Sequence, residues 1–264
     1  MVKSGRKSTG AGAWIYGRHA VAAALANPER RWRRLVVLAG HEDEAAALIA
    51  GARAPRRLYA SDHDRPAVSV LDHRGFAAIL PRYAVHQGLA LEVDPLAEPD
   101  LEDVLRRAKP APDRGVIVVL DQLSDPHNIG AVLRSAAAFG ALAVILPARG
   151  TPPPAGALAK AASGALENMP LIRVVNLARA LDRLKQAGFW ICGLDETAPQ
   201  PLAQLGAGER VAIVLGSEGE GVRRLVRERC DFLARLPTCA TQPTLNVSNA
   251  AAVALYELTR SRDR

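Results

Sequence analysis

The sequence predicts an α/β protein of two domains: a small N-terminal α/β unit, then a larger domain built on a doubly wound parallel sheet. Three observations carry that expectation. Apolar runs of five or six residues alternate with helix-period segments through the C-terminal part of the chain, and such unbroken runs fit parallel strands covered on both faces. The alternation is interrupted at DPLAEPD (residues 94–100), a Pro- and acid-rich stretch of the kind that separates domains. The 264 residues are 49% hydrophobic but only 4% aromatic, so there is enough apolar material for two cores, built from Ala, Val and Leu.

Taken in order, residues 1–11 are rich in Lys, Arg, Gly and Ser and predict a flexible basic arm. Residues 12–93 form the first domain. GRHAVAAALANP predicts a short helix stopped at Asn27-Pro28, RRLVVLAG a strand, EDEAAALIAG a helix ending on Gly51, and HQGLALEV a closing strand. After the 94–100 linker, residues 101–264 make the second domain. Its strands are VIVVL (116–120), ALAVIL (141–146), LIRVV (171–175), FWICGL (189–194), VAIVL (211–215) and FLARL (232–236). Helices fall between them at IGAVLRSAAAF, PAGALAKAAS, NLARALDRLKQAG and GVRRLVRERC, with a last one over 245–260. Ligands in such sheets bind beyond the C-terminal ends of the strands, so the loops there are where function is sought.

Composition narrows the setting. No stretch approaches the roughly 20 apolar residues that span a bilayer, and MVKSGRKSTGAGAW lacks the apolar segment of a secretory signal. Cys192, Cys230 and Cys239 are widely spaced, with no metal-ligand pattern. They predict reduced, buried thiols in a cytoplasmic protein, with neither disulfide nor metal. The net charge of +7 fits a polyanionic partner such as RNA. An Arg-rich composition from a GC-rich genome gives the same number, so charge alone leaves the partner open.

Three loops hold polar residues where a plain strand-to-helix junction does not need them. In DQLSDPHNIGAVLRSAAAFG (121–140), Asp125 and Asn128 suit the helix mouth as caps, and Arg134 suits a solvated helix face. VLGSEGEGV (214–222) offers close backbone approach through three glycines. Its spacing is not that of a dinucleotide fingerprint or a P-loop, and Glu218 and Glu220 disfavour phosphate. LPTCATQPTLNVSNAAAVALYEL (236–258) leads a strand through a polar loop to Asn246, Ser248 and an Ala-rich helix. Taken singly, each reads as an ordinary junction.

Taken together and in this order, NIGAVLRSA, GSEGEG and LPTCATQPTLNVSNA resemble the three signature motifs of the SpoU-type (TrmH-like) branch of SPOUT methyltransferases. AASGALENMPLIRVVNLARAL is similar to the middle of that family's catalytic domain. WIYGRHAVAAAL and VHQGLAL resemble the N-terminal RNA-binding domain of members that methylate a large-subunit rRNA guanosine. The resemblance implies a C-terminal SPOUT α/β-knot domain with a trefoil knot, a homodimer, and transfer of a methyl group from S-adenosylmethionine to a ribose 2′-hydroxyl, with no metal. It implies that Gly216, Leu236 and Leu245 contact the cofactor. It also places Arg134, Asn128, Glu218, Asn246 and Ser248 in the catalytic constellation. CATQPT departs from the Gly- and Ser-containing loop of many relatives, which puts the cofactor contacts there in doubt. A tRNA 2′-O-methyltransferase and a non-catalytic RNA-binding assembly factor remain the alternatives; a Rossmann dehydrogenase lacks its glycine fingerprint here.

Overall fold

The structure is a computed structural model describing residues 12–51, 67–108, 115–205, 210–217, 219–239 and 244–260. The arm expected at 1–11 lies outside the described residues. The chain divides into two units, Met1–Leu96 and Ala97–Arg264, each with its own sheet.

In the first unit, β1 (Ala13–Tyr16), α1 (Arg18–Ala26), β2 (Trp32–Leu38), α2 (Glu42–Gly51), β3 (Ala67–Leu71), α3 (His73–Ile79) and β4 (Leu89–Val93) follow in turn. The sheet order is β1-β4-β2-β3. β4 runs antiparallel to β1 and β2, whereas β2 and β3 are parallel. Leu35, Leu89 and Leu91 are fully buried in the middle strands. α2 opens with Glu42, Asp43 and Glu44, whose charges complement the positive end of the helix dipole. The VHQG segment serves this fold directly. Gln87, left-handed at φ 51°, turns its amide oxygen to accept the Arg18 N–H at 3.2 Å, a cap that Gly17 at the mouth of α1 cannot supply. β1, β3 and α3 escape the sequence reading. β3 is an edge strand whose Val68 and Val70 are half-exposed while Ser69 between them is less so, so its short Val-Ser-Val alternation marks the solvent face and not a buried one.

The second unit begins with α4 (Leu101–Arg107) and continues through β5 (Gly115–Leu120), α5 (Pro126–Ala138), β6 (Ala143–Pro147), α6 (Gly156–Ala162), β7 (Leu171–Val174), α7 (Leu177–Gln186) and β8 (Trp190–Leu194). β9 (Gln200–Pro201), β10 (Arg210–Leu215), α8 (Arg224–Arg227), β11 (Phe232–Arg235) and α9 (Val247–Thr259) complete it. The sheet order is β7-β6-β5-β10-β8-β11-β9, and every pairing is parallel. β5 is buried along its whole length, as its unbroken apolar run requires. α7 buries Leu177, Ala180, Leu181 and Leu184, one stripe at helical spacing, in a core with Ile117, Ile145, Ile191 and Val214. The Arg183 guanidinium donates twice to Glu102 of α4, at 2.8 Å each, and holds that carboxyl below the usual range.

The helix expected over GVRRLVRERC is reduced to the four residues of α8. Arg223 is held in extended backbone (φ −57°, ψ 147°) by its bonds to Asp121. At the other end Asp231 is bound to Ile191 through its backbone N–H and its carboxylate. Both ends of the segment are therefore committed elsewhere.

α5 lies against α6 at a crossing that Gly130 permits. A Cβ at Gly130 would sit 2.4 Å from the Ala161 Cβ and 2.7 Å from the Ala162 backbone nitrogen. Gly130→Ala is expected to destabilise the second unit by about 2 kcal/mol, despite the roughly 1 kcal/mol that alanine gains in helix propensity. Urea unfolding measures it, and a more stable variant would show that the two helices separate freely.

Candidate active site

The parallel strands end together, and the three motif loops leave from those ends. β5 and β10 are neighbours in register, Leu120 beside Leu215. Beyond Leu120 the chain turns Asp121 inward, fully buried. Its carboxylate accepts the Arg223 backbone N–H at 2.9 Å and the Arg223 Nε–H at 2.8 Å, while its own N–H donates to the Leu215 carbonyl at 2.8 Å. The loop after β5 and the glycine loop after β10 are thereby tied across the sheet edge. Gln122, next in line and exposed, is left-handed at φ 60°.

α5 starts at Pro126 behind Asp125, whose carboxylate accepts the His127 N–H at 3.0 Å. Asp125 is therefore the helix cap, and Asn128 is left for another partner. The Asn128 Oδ1 accepts from Asn246 Nδ2 at 3.1 Å. Asn246 in turn caps α9, its Oδ1 accepting the Ser248 N–H at 2.9 Å and the Ser248 hydroxyl at 2.6 Å. Two helix mouths thus face one another through an Asn–Asn bridge, each bringing the positive end of a helix dipole. Such an edge suits electron-rich oxygen.

Arg134 is not part of that bridge. It stands six residues along α5, about 9 Å down the axis and about 120° around from Asn128. It is exposed and makes no hydrogen bond or ion pair among the described residues. Its guanidinium is open to a partner from outside.

The glycine loop is compact. The Gly221 N–H donates to the Ser217 carbonyl at 3.0 Å, and Gly219 and Gly221 take φ 91° and 66°. A Cβ on Gly216 would lie 2.0 Å from the Gly221 carbonyl carbon, so no side chain fits there without opening the turn. Glu218 lies outside the described residues, as do residues 240–243 of the loop after β11. Leu236 is half-buried at the end of β11, and Leu245 is 40% exposed just before Asn246.

Sequence reasoning missed Asp121 and Arg223; an acid closing a five-residue apolar run is the one signal that was there. It also missed Asp195 after β8. Burial alone would raise that carboxyl, but bonds from the Thr197 N–H (2.8 Å) and hydroxyl (2.6 Å), with Arg227 beside them, hold it below its ordinary value. Stability from this loop is therefore present above the ordinary carboxylate range and is lost as pH falls through the lowered value. Not all of the cysteines are buried. Cys192 is buried and Cys230 partly so, whereas Cys239 is exposed on the loop after β11. Among the described residues no three His, Cys, Asp or Glu side chains are grouped as metal ligands, and no helix is long and apolar enough to cross a membrane.

A parallel sheet with its polar loops gathered at the strand ends defines a ligand-binding α/β domain. The SpoU rRNA Methylase family model matches residues 115–256, and the chain belongs to that family. It is 38% identical over 251 residues, 94% of this chain and 96% of the relative, to the 23S rRNA (guanosine-2′-O-)-methyltransferase RlmB of Pseudomonas aeruginosa. It is 37% identical over 250 residues to an uncharacterized tRNA/rRNA methyltransferase of Synechocystis sp., spanning 94% of this chain but 62% of that relative. In fold it is similar to the SpoU methyltransferase AviRb of Streptomyces viridochromogenes, solved in complex with the cofactor AdoMet. The TM-score is 0.74 at 21% identity, covering 95% of this chain and 90% of that one.

Asp121→Asn removes the charge that holds Arg223 and is expected to lower stability by about 2–3 kcal/mol. Urea unfolding of the full chain measures this. An unchanged midpoint would show that the carboxylate does not secure the glycine loop.

Proposed function

We propose that this chain is an S-adenosylmethionine-dependent RNA methyltransferase acting on the ribose 2′-hydroxyl of a guanosine in 23S rRNA. The observation that carries the reading is the Asn128–Asn246 bond, which joins the first and third motif loops 118 residues apart, while the Asp121–Arg223 pair ties the root of the first to the end of the second. The 38% identity to RlmB over nearly the full length of both chains supports the choice of substrate.

The loops suit the cofactor. S-adenosylmethionine supplies an electrophilic methyl on a sulfonium and has no phosphate, so the exposed Glu220 does not disfavour it. Gly216, Leu236 and Leu245 would hold it, chiefly through backbone groups around the adenine. Asn128 and Asn246 would orient the ribose by hydrogen bonds. The Ser248 hydroxyl is engaged by Asn246, so its part is to fix that side chain. Glu218 is proposed to orient the ribose or Arg134 from the glycine loop. A guanidinium with a pKa above about 12 does not serve as a base. Arg134 therefore holds the neighbouring phosphate and stabilises the alkoxide that develops as the hydroxyl gives its proton to solvent water.

Three further parts belong to the same reading. Residues 12–93 deliver RNA, and residues 101–264, beyond the 94–100 linker, carry the chemistry. The second unit is threaded as a trefoil knot, a rare exception to unthreaded chains; the late insertion of β10 between β5 and β8 supports this. Two copies pair through the outer face of α9, where Val253 and Tyr256 are exposed, and the enzyme works in the cytoplasm without a metal.

Mapping ribose methylation in cells with and without the gene tests the function: one 23S guanosine is expected to lose its 2′-O-methyl group, and loss on a tRNA instead would overturn the substrate. Arg134→Lys is expected to fold and bind S-adenosylmethionine normally yet methylate RNA at least about 100-fold more slowly. Single-turnover rates at saturating RNA separate this from weakened binding. A near-wild-type rate would return Arg134 to the helix surface.

A further inference from the structure

In the first unit, the segment Pro81–Gln87 forms a braced turn with an unusual tip. The Ala84 N–H donates to the Pro81 carbonyl at 2.9 Å, the His86 N–H to the Ala84 carbonyl at 3.0 Å, and the Leu89 N–H to the His86 carbonyl at 3.0 Å. Beneath the turn the His86 ring stacks on Phe76 with centroids 4.4 Å apart. The His86 Nδ1 accepts the Gly88 N–H at 3.2 Å. Burial, with His73 and His41 nearby, keeps His86 below its ordinary pKa, so the brace stays neutral.

This rigid base displays Tyr83 at 89% exposure and Val85 at 65%, with Arg82 exposed beside them. Tyr83 is the most exposed aromatic among the described residues. The other two exposed rings, Tyr256 and Trp190, lean on Phe139 and Phe232; Tyr83 has no ring neighbour and no hydrogen bond among the described residues, and Arg82 has no ion pair. A bare π-face next to an uncommitted guanidinium, on a turn whose ordering is complete before binding, matches one chemistry well. Unpaired bases stack on aromatic faces, and their phosphates are met by arginine. A preformed turn also spares the ordering cost of binding.

We propose that the Pro81–Gln87 turn is a docking platform for single-stranded RNA, with an unpaired base stacked on Tyr83 and an adjoining phosphate on Arg82. This rests on the reading of the chain as an RNA methyltransferase and adds the place, and the strandedness, of one contact outside the catalytic unit.

The test uses the full chain with a single-stranded oligoribonucleotide of mixed sequence, a fully paired RNA duplex, and naked 23S rRNA as methylation substrate. Tyr83→Ala is expected to weaken the single strand roughly 10-fold or more, leave the duplex unaffected, and raise KM for 23S rRNA with kcat unchanged. Tyr83→Phe and Tyr83→Trp keep a ring and are expected to bind as the unsubstituted chain does. Raising the salt separates the two contacts: Tyr83→Ala keeps the slope of affinity against salt, whereas Arg82→Gln reduces it by about 0.7. Unchanged circular dichroism and an unchanged urea unfolding profile of the full chain show that the variants fold. Equal single-strand affinity for Tyr83→Ala and the unsubstituted chain overturns the platform while leaving the methyltransferase reading in place. A defect seen only on assembled ribosomal particles also overturns it and makes the turn a protein dock. An unsubstituted chain that neither binds nor methylates RNA overturns the methyltransferase reading, and the platform with it.

Discussion

The ion pair of Asp121 and Arg223 is the constraint on which the edge carrying the motif loops depends. A carboxylate with no solvent exposure is tolerable only where its charge and lone pairs are met, and here one arginine meets them with both its backbone and its side chain. The pair fixes where the first motif loop leaves β5. It also draws the chain after the glycine turn back to the sheet, which shortens α8 to one turn. The position of each loop thus follows from the other.

Beside this pin, the edge has a fixed part and a free part. Asn128, Asn246 and Ser248 hold one another across two helix mouths, so their geometry exists before any ligand arrives. Arg134 has no such neighbour within the described residues. Preorganised hydrogen-bond donors place a substrate oxygen, and an uncommitted guanidinium can follow a phosphate that arrives with the substrate. The proposed reaction divides in the same way: the ribose must be aimed, while the backbone of the RNA is merely gripped.

Much of the second unit was legible because its chemistry is local. VIVVL and VAIVL became β5 and β10, adjacent strands in the middle of the sheet, since a strand buried on both faces must be apolar throughout. At the mouths of α5 and α9 the sequence leaves two candidates each, Asp125 or Asn128 and Asn246 or Ser248, and it starts the first helix at Ile129. The structure caps α5 at Asp125 and begins it three residues earlier, at Pro126, and it caps α9 at Asn246. What could not be read depends on distance in the chain. Gly130 looks like a poor helix residue until α6 is laid against it, and Asp121 looks like a turn residue until Arg223, 102 positions away, is seen beside it. In the first unit the edge strand β3 is five residues long and turns two valines toward solvent, so it shows neither a long apolar run nor a buried apolar face by which a strand is recognised. The motif resemblance supplied the candidate site, and geometry then sorted it: an Asn pair joined, a serine bound to one of the pair, an arginine left outside.

The thiols extend this picture to motion. Cys192 lies on β8, paired with Ile213 of β10 on one side and Phe232 of β11 on the other, and burial pushes its pKa up to about 12. Cys230, behind α8, is pushed up to about 11. Only the thiolate is nucleophilic, so at neutral pH neither reacts appreciably with an alkylating reagent while the strands stay closed, whereas Cys239 is exposed from the outset. The three positions therefore form a built-in clock of differing sensitivity. Prompt labelling at Cys239 reads the outer loop, and slow labelling at Cys192 reads how often the strands that carry the functional loops come apart.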